Sequence, residues 1–323
     1  MPERPVTDLE HRSGLLSGVV AYGVWGVFPL YFRLLEPATP LEVLSHRIVW
    51  SLAVVGIVLA RTRDVAWVGL LRRSPALLAR TTAAAALIAV NWIVYIWAVG
   101  EGHVVEAALG YFINPLVTVT LGVVFLGERL RRAQWAAVAL GAVAVAILTA
   151  SYGRVPWIAL TLATSFAAYG FLKKQIPLTA PQSLAAETVV LAPVAAVIAV
   201  VLVARGSAQF GHAGLGSSLL LVAAGPVTAI PLMLFAHAAR RIPLTLLGLL
   251  QYLTPTGQFL IAVAVFHEAL PASRWAGFAL VWAALVLLGV DMVRTQSRGR
   301  RVTPVTPTDV DAVVEAVSCG PSA

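Results

Sequence analysis

Ten apolar runs of about 18 to 24 residues follow one another along the 323-residue chain, separated by short polar segments. A run of this length crosses a bilayer as a helix, because a hydrocarbon core of about 30 Å needs about 20 residues at 1.5 Å each. We therefore predict an all-α integral membrane protein. The ten predicted transmembrane helices are 14–32, 42–60, 79–99, 104–126, 133–150, 156–173, 181–204, 216–238, 243–266 and 273–292.

Lysine and arginine residues are distributed unequally over the predicted loops. If the N-terminus lies in the cytoplasm, the inside segments hold 18 of the 23 basic residues, the outside segments hold four, and Arg47 lies within a span. Such an excess marks the cytoplasmic side of short loops. We therefore expect a multi-pass protein of the bacterial inner (plasma) membrane with both termini in the cytoplasm.

The polar segments at the two ends of the chain are expected to lie on that cytoplasmic side. Residues 1–13 form a short charged segment, and residues 293–323 are rich in charge, threonine and proline. A stretch of this composition cannot bury enough apolar surface to fold by itself. We therefore predict that residues 293–323 form a disordered cytoplasmic tail.

An internal repeat becomes visible when the chain is aligned with itself so that Pro115 falls on Pro255. The same ungapped alignment places Glu128 on Glu268, Leu130 on Leu270 and Trp135 on Trp275. The spacing predicts two five-helix repeats, 14–150 and 156–292. Because five is an odd number, the second repeat enters the membrane from the opposite side, and inverted repeats of this kind are typical of transporters.

Composition excludes a soluble globular protein. Hydrophobic residues make up 59% of the chain and charged residues only 12%, with a mean hydropathy of +0.86, whereas soluble domains carry about 25% charge. The net charge of +8 is spread over loops between apolar runs, so no nucleic-acid partner is expected. The lone Cys319 permits no intrachain disulfide.

One segment, 91–130, carries a distinctive set of residues. Its elements are Asn91–Trp92, Trp97–Ala98–Val99, Leu109–Gly110–Tyr111, Asn114–Pro115–Leu116 and Glu128. With them the chain resembles the RarD-like branch of the EamA-type transporters, in the drug/metabolite transporter superfamily, over roughly residues 12–292. Ala108 departs from the serine expected in that family. The resemblance implies ten helices, inverted repeats and export or exchange of small organic solutes.

Two ionisable residues occupy matching places inside predicted spans. Arg47 lies about six residues into the second span, and Glu187 occupies the equivalent position of the second repeat, in the seventh span. A charge at this depth is costly in lipid and usually faces a cavity or a partner. Inversion places the two residues roughly 10 Å apart along the membrane axis in a core of about 30 Å, which weighs against a direct ion pair. The two alternatives are a direct ion pair and two charges that polarise opposite ends of one cavity.

Arg47 and Glu187 are therefore assigned to a substrate pathway. Snorkelling of the long side chain to the surface is the alternative for Arg47. Glu187 is also a candidate for carrying a coupling proton, because burial favours the neutral form of a carboxyl group. Its alternative is a structural hydrogen bond to a neighbouring helix.

The third span holds a polar and aromatic group at helical spacing. Asn91 and Tyr95 share one face, and Trp92 flanks it. An amide beside aromatic rings suits a flat, partly polar organic solute. The alternative is that Asn91 joins two helices through a hydrogen bond, with the rings as anchors at the membrane interface.

Prolines at matching places in the fourth and ninth spans stand among polar residues. Proline inside a span frees a backbone carbonyl, which can bind solute or water where it lines a cavity, and matched helix breaks occur near transport sites. A packing kink is the alternative. The residues assigned to the substrate pathway on this ground are Tyr111, Asn114, Pro115, Gln251, Tyr252, Thr254 and Pro255.

These features favour a secondary transporter of a small organic solute, drug or metabolite, with alternating access. No GxxxxGK[ST], HExxH or GxSxG string is present, which disfavours an ATPase or an enzyme of those types. An intramembrane enzyme and a non-transporting receptor or structural protein are the alternatives. We predict no cofactor and no metal site; the expected partners are a small-molecule substrate and the lipid bilayer, and a homodimer is left open.

Overall fold

The computed structural model describes residues 8–126, 132–173, 175–239, 241–242 and 250–299, and this part of the chain is helical with no strand. The helices are α1 (Asp8–Gly26), α2 (Phe28–Leu34), α3 (Pro40–Thr62), α4 (Ala66–Arg73), α5 (Pro75–Gly100), α6 (Val104–Leu126), α7 (Arg132–Tyr152), α8 (Trp157–Lys173), α9 (Ala180–Ala204), α10 (Gly214–Ala239), α11 (Leu253–Ala264) and α12 (Ala272–Gly299).

Local sequence starts and stops several of these helices. The side chains of Thr39 and Ser74 cap the first turns of α3 and α5, and a proline follows each of them. A proline at this position costs no backbone hydrogen bond, because the first N–H groups of a helix have no partner within the helix. At the other end of α3, Arg63 takes a left-handed conformation with φ of 51°, which ends the helix.

The prediction of one continuous helix over 14–32 is wrong, because the structure has two helices there, α1 and α2. The chain bends by 44° between α1 and α2. Pro29 lies in the first turn of α2, and its ring is incompatible with a helical hydrogen bond to the carbonyl four residues earlier. That carbonyl, of Trp25, instead accepts a bond of 3.1 Å from Gln258 Nε2 of α11.

Three further features differ from the sequence-based expectations. Helix α1 includes Asp8, inside the predicted segment 1–13, and α12 includes Gly299, inside the predicted tail; residues 300–323 of that tail lie outside the described residues. Polar residues at a helix end still gain one backbone hydrogen bond each as the helix extends. A prediction from hydropathy does not count these backbone bonds, so it ends the helices too early. The short helix α4 was not predicted, because eight residues cannot span a membrane.

Six helices of the described residues are long and apolar enough to cross a membrane, or seven if α1 and α2 form one broken span. Shorter apolar helices lie within α6 and α11, and α8 has 17 residues. The multi-pass, all-α character is thereby confirmed, while ten crossings stay a prediction. Residues 243–249 of the ninth predicted span lie outside the described residues, as does Glu128.

The most extensive helix contacts all join residues 8–152 to residues 157–299. They pair α7 with α12, α6 with α8 and α11, α3 with α9 and α10, α5 with α8 and α9, and α1 with α10 and α11. Exchanging each helix for its counterpart in the sequence repeat leaves this set of pairs unchanged. We call the surface between the two segments the seam.

Glycine permits two close approaches across the seam. A Cβ on Gly110 of α6 would lie 2.7 Å from the carbonyl oxygen of Ala159 in α8. A Cβ on Gly225 of α10 would overlap the backbone of Trp50 in α3. Small residues allow helices to approach in this way, so the seam is closely packed.

Candidate functional site

Arg47 lies at the centre of a box of aromatic rings in the seam. Its side chain is 5% exposed, and its guanidinium carbon lies 4.1 Å from the centroid of one ring of Trp92 and 5.6 Å from the centroids of Phe28 and Phe32. Ring faces attract a cation. Nε donates to Thr228 Oγ1 at 2.8 Å, from α3 to α10. The snorkelling alternative for Arg47 is therefore wrong.

The charge of Arg47 has no carboxylate partner among the described residues, and the bond from Nε is its one hydrogen bond there. The side chains of Tyr31, Tyr95 and Tyr111 lie near the guanidinium. Of these, the Tyr95 hydroxyl is buried and has no hydrogen-bond partner in the described part of the chain. The box, with the adjoining ring of Tyr95 5.8 Å from that of Phe32, thus holds a cation without a carboxylate partner and a hydroxyl without a hydrogen-bond partner.

Asn91 links this box to helix α8. Its Nδ2 donates to the carbonyl of Leu162 and to Ser165 Oγ, both at 3.1 Å, and its Oδ1 accepts from the hydroxyl of Tyr111 at 3.0 Å. The amide is 1% exposed, and its hydrogen bonds are internal. These contacts match the alternative given for Asn91, in which it joins two helices through hydrogen bonds. The side chain of Asn91 also positions the hydroxyl of Tyr111.

Asn114 and Thr254, which match in the repeat, make matching contacts across the seam. Asn114 Nδ2 donates to the carbonyl of Ala163 in α8 at 3.0 Å. Thr254 Oγ1 donates to the carbonyl of Tyr22 in α1 at 3.0 Å. Each therefore ties its helix to the first helix of the opposite segment.

The two matched prolines differ in their surroundings. Pro115 lies inside the continuous helix α6 and is half-buried. Pro255 is buried in the first turn of α11, which begins at Leu253 directly after a turn at Gln251 and Tyr252. Gln251 and Tyr252 are half-buried. A helix break thus accompanies the proline in the second segment, while α6 remains helical through its proline.

Glu187 lies in a separate cluster and not beside Arg47. Its Oε1 accepts from Lys173 Nζ at 2.7 Å and from Ser183 Oγ at 2.9 Å, and its Oε2 accepts from the hydroxyl of Tyr169 at 3.1 Å. The carboxylate is 2% exposed and the lysine side chain 28%. The described coordinates hold no ion pair between Glu187 and Arg47.

Several residues of these two clusters were missed in the sequence. The rings of α2 and the hydroxyl of Thr228 meet Arg47 only through tertiary packing. Lys173 was counted only as a topology marker. A signal did exist for its cluster, since Tyr169 and Lys173 are four residues apart on α8, as are Ser183 and Glu187 on α9, and such pairs share a helix face.

One end of the helix bundle holds the loops 35–39, 101–103, 153–156, 205–213 and 265–271, and we call it the predicted outer end. Three glutamates accept backbone N–H groups of other loops or helix starts there. The pairs are Glu42 with Gln209 and Phe210 at 2.7 and 2.9 Å, Glu106 with Ile158 at 3.2 Å, and Glu268 with Val104 and Val105 at 2.7 and 2.8 Å. Burial raises the pKa of Glu268, an effect that its two backbone donors reduce. These contacts hold this end together.

Comparison with known proteins identifies the family. Residues 12–150 match the EamA-like transporter family. The protein RarD of Streptomyces exfoliatus is 54% identical over 93% of this chain and 95% of its own. The chain belongs to the RarD-like branch of the EamA-type transporters. An uncharacterized transporter of Pseudomonas aeruginosa is 42% identical over 89% of this chain and 96% of its own.

The RarD-like assignment agrees with the resemblance found in the segment 91–130. A solved crystal structure of a protein covers 88% of this chain and 99% of its own, with a TM-score of 0.56 at 21% identity. At that identity the likeness concerns the fold alone. This RarD-like chain is a multi-pass membrane protein of a transporter family, and its substrate is a separate question.

Proposed function

We propose that this protein is a secondary transporter that moves a small organic solute across the bacterial inner membrane. The single observation that carries the proposal is that the polar side chains buried near the aromatic box bond across the seam. Arg47 bonds to Thr228, and Asn91 bonds to Leu162 and Ser165. A site between two segments is exposed alternately to each side when the segments rock.

The proposed moving parts are two inverted five-helix repeats, 14–150 and 156–292, with ten crossings in all. Two observations support them. The helix pairs are unchanged on exchange of the segments, and Asn114 and Thr254 make matching bonds. Rocking of one repeat against the other breaks some of these seam contacts and forms others, which is the requirement for alternating access.

The proposed substrate pathway includes all twelve predicted residues, and we assign them different roles. Four lie around the centre: Arg47, Trp92, Tyr95 and Tyr111. Asn91, Asn114 and Thr254 hold helices together across the seam. Pro115 and Pro255, with Gln251 and Tyr252, are assigned to the parts of α6 and α11 that line the route, and Glu187 to the cluster with Lys173.

Glu187 remains the candidate for a coupling proton. Lys173, Ser183 and Tyr169 all donate to its carboxylate, so a proton that binds there competes with an ion pair. A coupled step therefore requires Lys173 to withdraw as Glu187 is protonated. The same contacts support a structural role, and the transport assay below separates the two.

The proposed orientation places both termini in the cytoplasm. The excess of basic residues in alternate loops supports cytoplasmic termini. The substrate and the surrounding lipid are the proposed partners, without nucleic acid, cofactor or metal, and with a homodimer as an option that cross-linking in membranes can test. An enzyme is disfavoured because relatives are named as transporters.

The test uses purified protein in liposomes with a panel of labelled organic acids, amides, amines and neutral metabolites. Exchange of a solute against its unlabelled form needs no knowledge of the coupling ion. We expect at least one solute to exchange, with the rate reduced in Arg47→Gln and retained in Arg205→Gln, an exposed arginine on a loop.

Two outcomes count against the proposal. Exchange of no solute by folded protein supports the receptor or structural alternative, and chemical conversion of a solute supports the enzyme. A pH gradient that drives uptake in the wild type and fails to do so in Glu187→Gln supports proton coupling. Equal uptake with and without the gradient contradicts it.

A further inference from the structure

The guanidinium of Arg47 is a buried charge that the chain itself leaves unbalanced. Burial of an ionised group away from water is strongly unfavourable unless it is paired. Ring faces supply part of the missing attraction, and Thr228 accepts one bond. A guanidinium has five N–H donors in a plane, so the donors of Nη1 and Nη2 lack acceptors among the described residues.

Three buried carboxylates near the ends of the bundle make their ion pairs and hydrogen bonds away from Arg47, although Oε2 of Glu42 has no hydrogen-bond partner among the described residues. Glu187 binds Lys173, Glu106 binds Arg154, and Glu42 accepts two backbone N–H groups through Oε1. None of these side chains supplies the counter-charge of Arg47 in this conformation. A bound anion would therefore supply a counter-charge that these side chains do not.

A second polar atom in the box also lacks a partner. The hydroxyl of Tyr95 belongs to a side chain that is 2% exposed and makes no hydrogen bond among the described residues. Its ring lies 5.8 Å from that of Phe32 and 5.7 Å from that of Tyr111. An unpaired buried hydroxyl is unfavourable, and an anion beside Arg47 would accept its hydrogen.

We propose that Arg47 and Tyr95 bind the carboxylate of a small organic monoanion whose flat apolar part packs against the surrounding rings. This rests on the proposed transport function and specifies its substrate class. The planar fork of arginine fits a carboxylate with two parallel bonds. Among the described residues Arg47 is the one basic side chain in the box, and Lys173 and Arg33 pair elsewhere with Glu187 and Glu36, which favours a single negative charge over a dianion.

The test compares solutes of one shape that differ only in charge. Phenylacetate and phenylacetamide, and benzoate and benzamide, are added at millimolar concentrations to the purified full chain in detergent. Melting temperature and tryptophan fluorescence are measured, with Trp92 as the ring nearest the charge. We expect the two acids to raise the melting temperature and change the fluorescence, and the amides to do neither at the same concentration.

Variants assign the effect to the box. Arg47→Gln is expected to weaken binding of the acids more than tenfold, because it removes the charge and the bonds of the guanidinium. Tyr95→Phe is expected to weaken it about tenfold, because it removes one hydrogen bond to a charged group. Arg205→Gln, at an exposed position, is expected to bind as the wild type does. Thr228→Val, which keeps the guanidinium, replaces Arg47→Gln if that variant fails to fold, with a smaller expected loss.

Three results overturn the inference: equal binding of acids and amides, no binding of either acid, or unchanged binding in Arg47→Gln. Sodium chloride at matched ionic strength controls for a general salt effect. Exchange of neutral solutes in liposomes without binding of acids would retain the transport function and remove this substrate class. Binding of acids without any exchange would retain the anion site and remove the transport function.

Discussion

The two segments of the chain place charged residues at matching positions and use them differently. Alignment of the two repeats places Arg33 on Lys173 and Arg47 on Glu187. In the second segment these positions hold opposite charges that bind each other at 2.7 Å. In the first segment both are cations, and Arg33 pairs with Glu36 where both side chains are exposed, while Arg47 stays in the aromatic box.

This difference predicts that the two buried charges contribute differently to stability and to ligand binding. A buried pair that is satisfied internally gains nothing from a ligand. A buried cation that is held by rings and one hydroxyl is stabilised further by any anion that reaches it. Removal of the two charges should therefore have opposite consequences for stability.

The largest expected effect is on transport by Arg47→Gln. A hydrogen bond to a charged group contributes about 1.5–3 kcal/mol, so we expect binding and exchange of an anionic solute to fall roughly 10- to 150-fold. Because the variant removes an uncompensated buried charge, its melting temperature in detergent should equal or exceed that of the wild type. A large loss of stability would show that Arg47 is structural.

Glu187→Ala should show the opposite behaviour. Breaking a fully buried ion pair costs about 3–5 kcal/mol. Because the Lys173 side chain is 28% exposed, we expect a smaller loss of about 2 kcal/mol in the free energy of unfolding, measured by denaturation in mixed micelles. The double variant with Lys173→Ala should recover part of it, and Glu101→Ala, at an exposed position, serves as the control. Equal losses in the single and double variants would contradict the pairing.

The matched hydrogen bonds of Asn114 and Thr254 test the seam on both sides. Interhelical bonds of this kind contribute about 0.6–2 kcal/mol. Asn114 is buried and Thr254 half-buried, so Asn114→Ala should lower the unfolding free energy by about 1 kcal/mol and Thr254→Val by less. A larger loss of unfolding free energy in Thr254→Val than in Asn114→Ala, measured under identical conditions, would contradict this prediction.

The smallest expected effect is that of Glu268→Gln at the predicted outer end. Glutamine keeps the size of the side chain and one acceptor oxygen, and it loses the charge that strengthens the bonds to Val104 and Val105. We expect a loss of about 0.5–1 kcal/mol, detected as faster hydrogen exchange of these two amides. Unchanged exchange at these amides would indicate that the charge of Glu268 contributes nothing to holding this end.

Much of the fold was predictable because it depends on local composition. The start of α6 at Val104 agrees with the predicted start, since a long apolar run between polar segments has one way to satisfy its backbone in lipid. The break before Pro29 was missed, because its freed carbonyl is satisfied by Gln258, which belongs to the opposite segment. Among the residues that bond to Arg47 and Glu187, Thr228 and Lys173 were missed, because they approach from other helices.

The sequence by itself determined the class of the protein, the family and most helix bounds, because apolar length and motif spacing are properties of the chain. Only the tertiary structure decided which buried charge is neutralised. Arg47 and Glu187 look alike in the sequence, as single ionisable residues in apolar runs. Their difference arises from neighbours on other helices, Lys173 beside one and aromatic rings beside the other, and the free energy of a buried charge depends on those neighbours.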